Sequence, residues 1–305
     1  MKDMKKNLTI LFAAMLFANI VGHGQTAKPK KDNGYVVQEA NYNYGICKTI
    51  QSKALNKPMP VLVFLPAKYE TSKLKYPTVY LLHGVNGQPL NEQGIRSLNN
   101  PATKILEMAE LFQVIIVTPI TGNSFYINSP IDTMAKFATY VGEEIPKFID
   151  QNFRTSNTRE GRFLAGFSMG GYGAVSLLCR YPETFSVAIN RAGVLNLATG
   201  VQDLNWDDAA FPVPVLGSYW KNQESYHLNS CFNLINKIKA RKDIAIIVEV
   251  GRDDFLYTTN HQFRNVLEEF KIPYIYAEYP GGHEWNANCF LSMFGHLQVF
   301  RKTVE

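Results

Sequence analysis

The stretch Gly166-Phe167-Ser168-Met169-Gly170 follows a short apolar run, Arg162-Phe163-Leu164-Ala165, and precedes a small-residue segment of helical character, Gly171 to Leu178. A G-x-S-x-G sequence between strand and helix puts the serine on a strained turn that lifts its Oγ above a sheet, and the flanking glycines permit the tight path. The chemistry implied is nucleophilic attack by Ser168. A serine hydroxyl is inert at its ordinary pKa, so the same reading requires a histidine to take its proton and a carboxylate to orient that histidine.

With this elbow the chain order is serine, acid, histidine. His227, His261, His283 and His296 follow Ser168. His283 stands in Pro280-Gly281-Gly282-His283-Glu284-Trp285, just beyond the apolar segment Tyr274 to Tyr279, in a glycine-rich loop at the C-terminal end of a strand, where a catalytic base belongs. His261 lies in a helical stretch, 259–270, and His296 in the last helix, so both read as ordinary helix residues; His227 falls in an irregular segment. For the acid, Gly251-Arg252-Asp253-Asp254-Phe255-Leu256 follows the strand 244–250 and offers two carboxylates. Asp254, three residues after the glycine and beside Phe255, is preferred over the competing Asp253, which can instead cap the helix starting near Thr258 or pair with Arg252. An oxyanion needs two N–H donors fixed in advance. The loop His83-Gly84-Val85-Asn86-Gly87 supplies one, assigned to Val85, and Met169, after the nucleophile, supplies the other. His83 precedes the serine and reads as a brace of its loop.

The elements that position these residues are legible in the hydropathy pattern. Residues 35–69 alternate around turn formers and predict two or three antiparallel strands. The runs 78–82, 114–117, 162–165, 187–189 and 244–248 are continuously apolar, as strands covered on both faces should be. Helical stretches separate them, the clearest being 134–153, in which Pro146 should bring a kink or a new first turn. Strands alternating with helices predict an α/β fold with a mostly parallel, doubly wound sheet and antiparallel N-terminal strands. Between 195 and 228 the periodicity fails, and the segment is rich in Asp, Asn, Pro and aromatics, among them Trp206, Phe211, Tyr219, Trp220 and Tyr226. It is read as an irregular insertion over the active site. Tyr219, Trp220 and Trp285 are the expected substrate-contacting aromatics.

The 305 residues, 46% of them hydrophobic, suffice for one large domain, 35–305, and exclude disorder and coiled coil. Basic residues within Met1 to Lys6 precede an apolar run, Leu8 to Gly22, too short to span a bilayer comfortably, and Gly22-His23-Gly24 permits cleavage near Gln25. Residues 1–24 therefore read as a signal peptide, implying a periplasmic or secreted chain, and 25–34 as a flexible linker. Of the formal +5, a net two lies in Lys2, Asp3, Lys5 and Lys6, and the remaining basic residues are scattered, which argues against nucleic acid as a partner. Cys47, Cys179, Cys231 and Cys289 show no metal-ligand or C-x-x-C spacing and read as buried thiols.

Taken together, the chain over residues 55–300 resembles the esterase group of the α/β-hydrolases that includes esterase D, feruloyl esterases of the first carbohydrate esterase family and the mycolyltransferases. The resemblance rests on Tyr80-Leu81-Leu82-His83-Gly84, Glu143-Glu144-Ile145-Pro146, Ala165 to Gly171, Tyr181 to Phe185, Asp254 to Tyr257 and Gly281 to Trp285. It implies Ser168, Asp254 and His283 as triad, Val85 and Met169 as oxyanion donors, and neither metal nor cofactor. The His-x-Trp ending is closer to feruloyl and short-acyl esterases than to formylglutathione hydrolases, and Val85 to Pro89 is less glycine-rich than is usual in the group. The expected activity is hydrolysis of carboxylic esters, on small molecules or carbohydrate. An acyltransferase with the same triad and a catalytically silent carbohydrate-binding protein are the alternatives.

Overall fold

The continuously apolar runs become the central strands of one ten-stranded sheet. The structure, a computed structural model, describes residues 30–32, 35–42, 45–85, 104–198 and 213–301. The expected signal peptide, most of the linker, Asn86 to Pro89, and the part of the insertion holding Trp206 and Phe211 lie outside the described residues. The strands are β1 Lys30–Asp32, β2 Tyr35–Tyr42, β3 Gly45–Ser52, β4 Lys57–Phe64, β5 Thr78–Leu82, β6 Ile115–Pro119, β7 Arg162–Phe167, β8 Val187–Arg191, β9 Ala245–Gly251 and β10 Tyr274–Tyr279. Their order is β1-β2-β3-β4-β6-β5-β7-β8-β9-β10. The first four pair antiparallel, β4 meets β6 antiparallel, and β5 to β10 run parallel. β1 begins at Lys30, inside the segment read as a linker: lysine-rich composition does not prevent main-chain pairing at a sheet edge, where charged residues are at home.

Period-two alternation divides the central strands between two cores. Val79, Leu81, Phe163, Ala165, Val187, Ile189, Ala245 and Ile247 join one, with helices α1 (Ile105–Phe112) and α5 (Ala287–Phe300). Tyr80, Leu82, Leu164, Ala188, Ile246 and Val248 join the other, with α2 (Ile145–Asn152), α3 (Met169–Arg180) and α4 (Tyr257–Glu269). Every residue of α3 from Met169 to Cys179 is buried, which explains its small, apolar composition on all sides. The expected helix 134–153 is broken as Pro146 demands. A short helix, Phe137–Thr139, passes into a π-helical turn, Tyr140–Glu144, before α2 restarts with proline in its first turn. Proline has no N–H to return to the carbonyl four residues back, and the wider turn absorbs the missing bond. Within the Glu143-Glu144-Ile145-Pro146 motif, Glu144 accepts hydrogen bonds from Ser52 Oγ (2.6 Å) and the N–H groups of Lys53 (3.0 Å) and Ala54 (2.8 Å), tying the β3–β4 turn to this helical run.

Register brings the chemistry together. Leu82 pairs with Gly166, Gly166 with Asn190, Arg191 with Glu249, and Gly251 with Tyr279, so β5, β7, β8, β9 and β10 end along one edge. The four cysteines are buried and free; burial pushes the thiols up, to about 11 for Cys47 and about 12 for Cys179. At the elbow, a Cβ on Gly166 would collide with the main chain of Gly170, and one on Gly170 with the carbonyl of Leu82. Gly166→Ala should therefore lower stability by about 1–3 kcal/mol, read as a lower urea midpoint; an unchanged midpoint would contradict this packing.

Candidate active site

Ser168 joins β7 to α3 with φ 57° and ψ −119°, a conformation rarely adopted by a residue with a side chain. Its N–H donates to the Arg191 carbonyl (3.0 Å) and its carbonyl accepts the Tyr172 N–H (3.1 Å), so both neighbouring elements hold the turn open. A Cβ on Gly84 would touch Ser168 Cβ at 3.6 Å, which places the loop after β5 directly beside the serine.

Asp254 and His283, expected as acid and base, are brought together. His283 Nδ1 lies 2.8 Å from Asp254 Oδ2, and the Asp254 side chain is fully buried. Its other oxygen accepts the Leu256 N–H at 2.8 Å. An ionised carboxylate only accepts, so Nδ1 carries the proton and Nε2 keeps its lone pair free for a base's work. Asp253 is exposed and meets the base's loop through its main chain, donating to the Gly281 carbonyl at 3.0 Å. The geometry thus separates two adjacent carboxylates that spacing left open. The imidazole packs against Phe167 (ring centroids 4.3 Å apart) and Phe255 (4.7 Å), and Trp285 stacks on Phe167 at 5.1 Å. Among the described residues no hydrogen bond joins Ser168 Oγ to His283; such pairs are often long without substrate and tighten in its complex.

Met169 is the first residue of α3, so its N–H is among those with no intrahelical partner and stands at the positive end of the helix dipole. Val85 is oriented from behind by His83. Thr121 N–H donates to His83 Nε2 (3.1 Å), so the ring proton sits on Nδ1 and is donated to the Gly84 carbonyl (2.8 Å). In a trans peptide the carbonyl and the following N–H point in opposite directions, so anchoring Gly84 O at the ring turns Val85 N–H away from it. The Tyr126 hydroxyl holds the His83 carbonyl at 2.9 Å, and burial pushes the His83 pKa down, keeping the ring neutral.

The aromatics of the insertion divide. Tyr219, expected at the substrate, is 3% exposed and packs edge-to-face on Tyr226 at 5.1 Å. Its ring anchors the segment to the core and offers no surface to a ligand. Trp220 is 70% exposed. A buried amide pair escaped sequence reading: Asn190 Nδ2 donates to Asn260 Oδ1 (2.7 Å), and Asn260 donates to the carbonyls of Gly193 (3.0 Å) and Leu256 (2.9 Å), locking β8 to the acid's loop. Asparagine on an apolar strand and on a helix face was the available signal. Among the described residues no group of three His, Cys, Asp or Glu is placed to hold a metal ion.

A serine elbow beside a buried Asp–His pair, at the C-terminal edge of a doubly wound sheet, defines the α/β-hydrolase class. Residues 52–295 match the family model described as "Putative esterase", and the chain belongs to that esterase family as a serine carboxylic-ester hydrolase. It is 29% identical over 254 residues to an acetyl esterase of Caldicellulosiruptor saccharolyticus, covering 77% of this chain and 90% of that one. Among solved structures, the fold is similar to FphF, a fluorophosphonate-binding serine hydrolase of Staphylococcus aureus (TM-score 0.68, 23% identity, covering 83% of this chain and 96% of that one). It is also similar to a ferulic acid esterase (TM-score 0.64, 23% identity, covering 84% and 96%).

Two outcomes follow from this geometry. Asp254→Asn should reduce kcat by about 10⁴-fold, because the wrong imidazole tautomer results, whereas Asp253→Asn should leave it nearly unchanged; the reverse ranking in steady-state kinetics would exchange their roles. For His83, a folded pKa below the ordinary value near 6.5 means that only the unfolded chain takes up the proton as pH falls, so this contribution to stability is present above about pH 6.5 and lost on acidification. His83→Gln should flatten the fall of unfolding free energy between about pH 7 and pH 5; a curve parallel to that of the wild type would contradict a neutral His83.

Proposed function

We propose that the chain is an exported serine esterase that cleaves carboxylic esters through an acyl-enzyme on Ser168, without metal or cofactor. The observation that carries this reading is the 2.8 Å bond between His283 Nδ1 and the buried Asp254, set beside the strained Ser168 elbow. In the first half-reaction Ser168 Oγ attacks the ester carbonyl carbon as His283 Nε2 takes its proton, and the oxyanion is received by the N–H groups of Val85 and Met169. Collapse expels the alcohol, which leaves with the proton held by His283. Water then attacks the acyl-serine by the same steps in reverse roles, releasing the acid and restoring Ser168.

The substrate class proposed is an acyl or feruloyl ester on carbohydrate. The acetyl esterase relative and the ferulic acid esterase neighbour support it, as do Phe255 beside the imidazole, Trp285 stacked on Phe167 and the exposed Trp220, which are flat surfaces suited to a sugar or aryl ring. Export is supported by the basic start and the apolar run Leu8 to Gly22, with the esterase domain taken as 35–305. The mature chain should hydrolyse chromogenic acetate esters or methyl ferulate with an initial burst of alcohol. Ser168→Ala should lower kcat by about a thousandfold or more; an unaltered rate in that variant would reject the nucleophile.

A further inference from the structure

An ion pair that the triad chemistry does not use is buried beneath the histidine-bearing loop. Arg191 ends β8, in register with Glu249 on β9, and their side chains are 4% and 0% exposed. Arg191 Nη1 donates to Glu249 Oε2 at 2.6 Å, while Glu249 Oε1 accepts from Ser292 Oγ (2.9 Å) and pairs with His296 Nδ1 (2.7 Å) on α5. Desolvating two ions offsets most of their attraction, so such a pair is a poor device for stability and calls for another explanation.

The rest of the guanidinium faces the loop that carries the base. Its carbon lies 3.8 Å from the centroid of Tyr279, where β10 ends and that loop begins. Its Nε donates to the carbonyl of Glu284, the residue after His283, at 3.4 Å, and Cys289 Sγ donates to the same carbonyl at 3.3 Å. The main-chain carbonyl of Arg191 meanwhile accepts the N–H of Ser168 at 3.0 Å. One residue therefore touches the nucleophile through its backbone and both ends of the base's loop through its side chain. That loop, Pro280-Gly281-Gly282-His283, includes Gly281 at φ 106° and has little stiffness of its own. Its main-chain hydrogen bonds, Arg252 N–H to the Tyr279 carbonyl (3.0 Å) and Asp253 N–H to the Gly281 carbonyl (3.0 Å), lead to the acid's loop; towards the serine the imidazole also has the ring of Phe167, a contact without hydrogen-bond direction.

We propose that Arg191, held in place by Glu249, is the positioning residue that sets the distance between Ser168 Oγ and the His283 imidazole. The inference rests on the reading of these two as nucleophile and base. Asp254 fixes the ring's tautomer and rotation; Arg191 fixes where the ring stands relative to the elbow. A displacement near 1 Å is enough to cost roughly 10²-fold in rate, so the clamp acts on kcat and leaves ground-state binding alone.

The test replaces both charges with apolar residues of similar volume, Arg191→Met with Glu249→Leu, a change that buried pairs commonly tolerate. Four quantities are read on the folded variant: thermal midpoint, kcat and KM for p-nitrophenyl acetate, and hydrogen exchange of the peptide spanning 280–286. Expected are a midpoint near that of the wild type, kcat lower by about 10²-fold with KM within about twofold, and faster exchange in 280–286. Arg191→Lys keeps the charge that Glu249 needs and loses the planar contact with Tyr279, so it should show the same split at smaller size, and it reports even if the double variant does not fold. Wild-type kcat and wild-type exchange in either folded variant would overturn the proposal. Should Ser168→Ala prove fully active, the nucleophile assignment falls, while exchange in 280–286 still decides whether Arg191 clamps the loop.

Discussion

The buried carboxylate of Asp254 is the constraint around which the site is arranged. An ionised group with no exposure to water is costly unless its oxygens are bonded, and here one takes the Leu256 N–H and the other the His283 ring. Satisfying that charge fixes which imidazole nitrogen holds a proton, and the free nitrogen is thereby the one a serine can use. The same demand explains the company around it. Asn260 bonds the Leu256 carbonyl, and Asn190 bonds Asn260, so the acid's loop is braced from the sheet.

Much of this was legible because the fold writes its strands plainly. Continuous apolar runs located the starts of the parallel strands to within a residue, and glycine-rich loops after them marked the edge where the candidate site residues gather. The order of candidate histidines was decided by where each falls: His261 and His296 lie in α4 and α5, and His283 in the loop after β10. Two neighbouring aspartates could not be separated by spacing, since either can reach the edge of a sheet; only the turn that buries one and exposes the other does so. The burial of Tyr219 is hidden from the sequence for a related reason. An aromatic in an irregular segment can face solvent or core, and no periodicity says which.

Arg191 and Glu249 left a signal that is easy to overlook. Each continues the alternation of its strand, in phase with Val187 and Ile189 or with Ala245 and Ile247, and so occupies a core position at the strand's end. A charged residue there reads as surface until the neighbouring strand supplies its counter-ion. His83 is the mirror case, a histidine in the loop beside the Ser168 elbow whose ring is taken up by the Gly84 carbonyl and the Thr121 N–H. Both show the distinction between groups that react and groups that hold them, which a fold hosting many chemistries makes necessary.

Covalent capture of the nucleophile tests the central claim most directly. The purified chain, treated with a fluorophosphonate and analysed by intact mass and peptide mapping, should gain one adduct, located on Ser168. Stoichiometric labelling of another residue, or full inactivation of the esterase with Ser168 unmodified, would contradict the account.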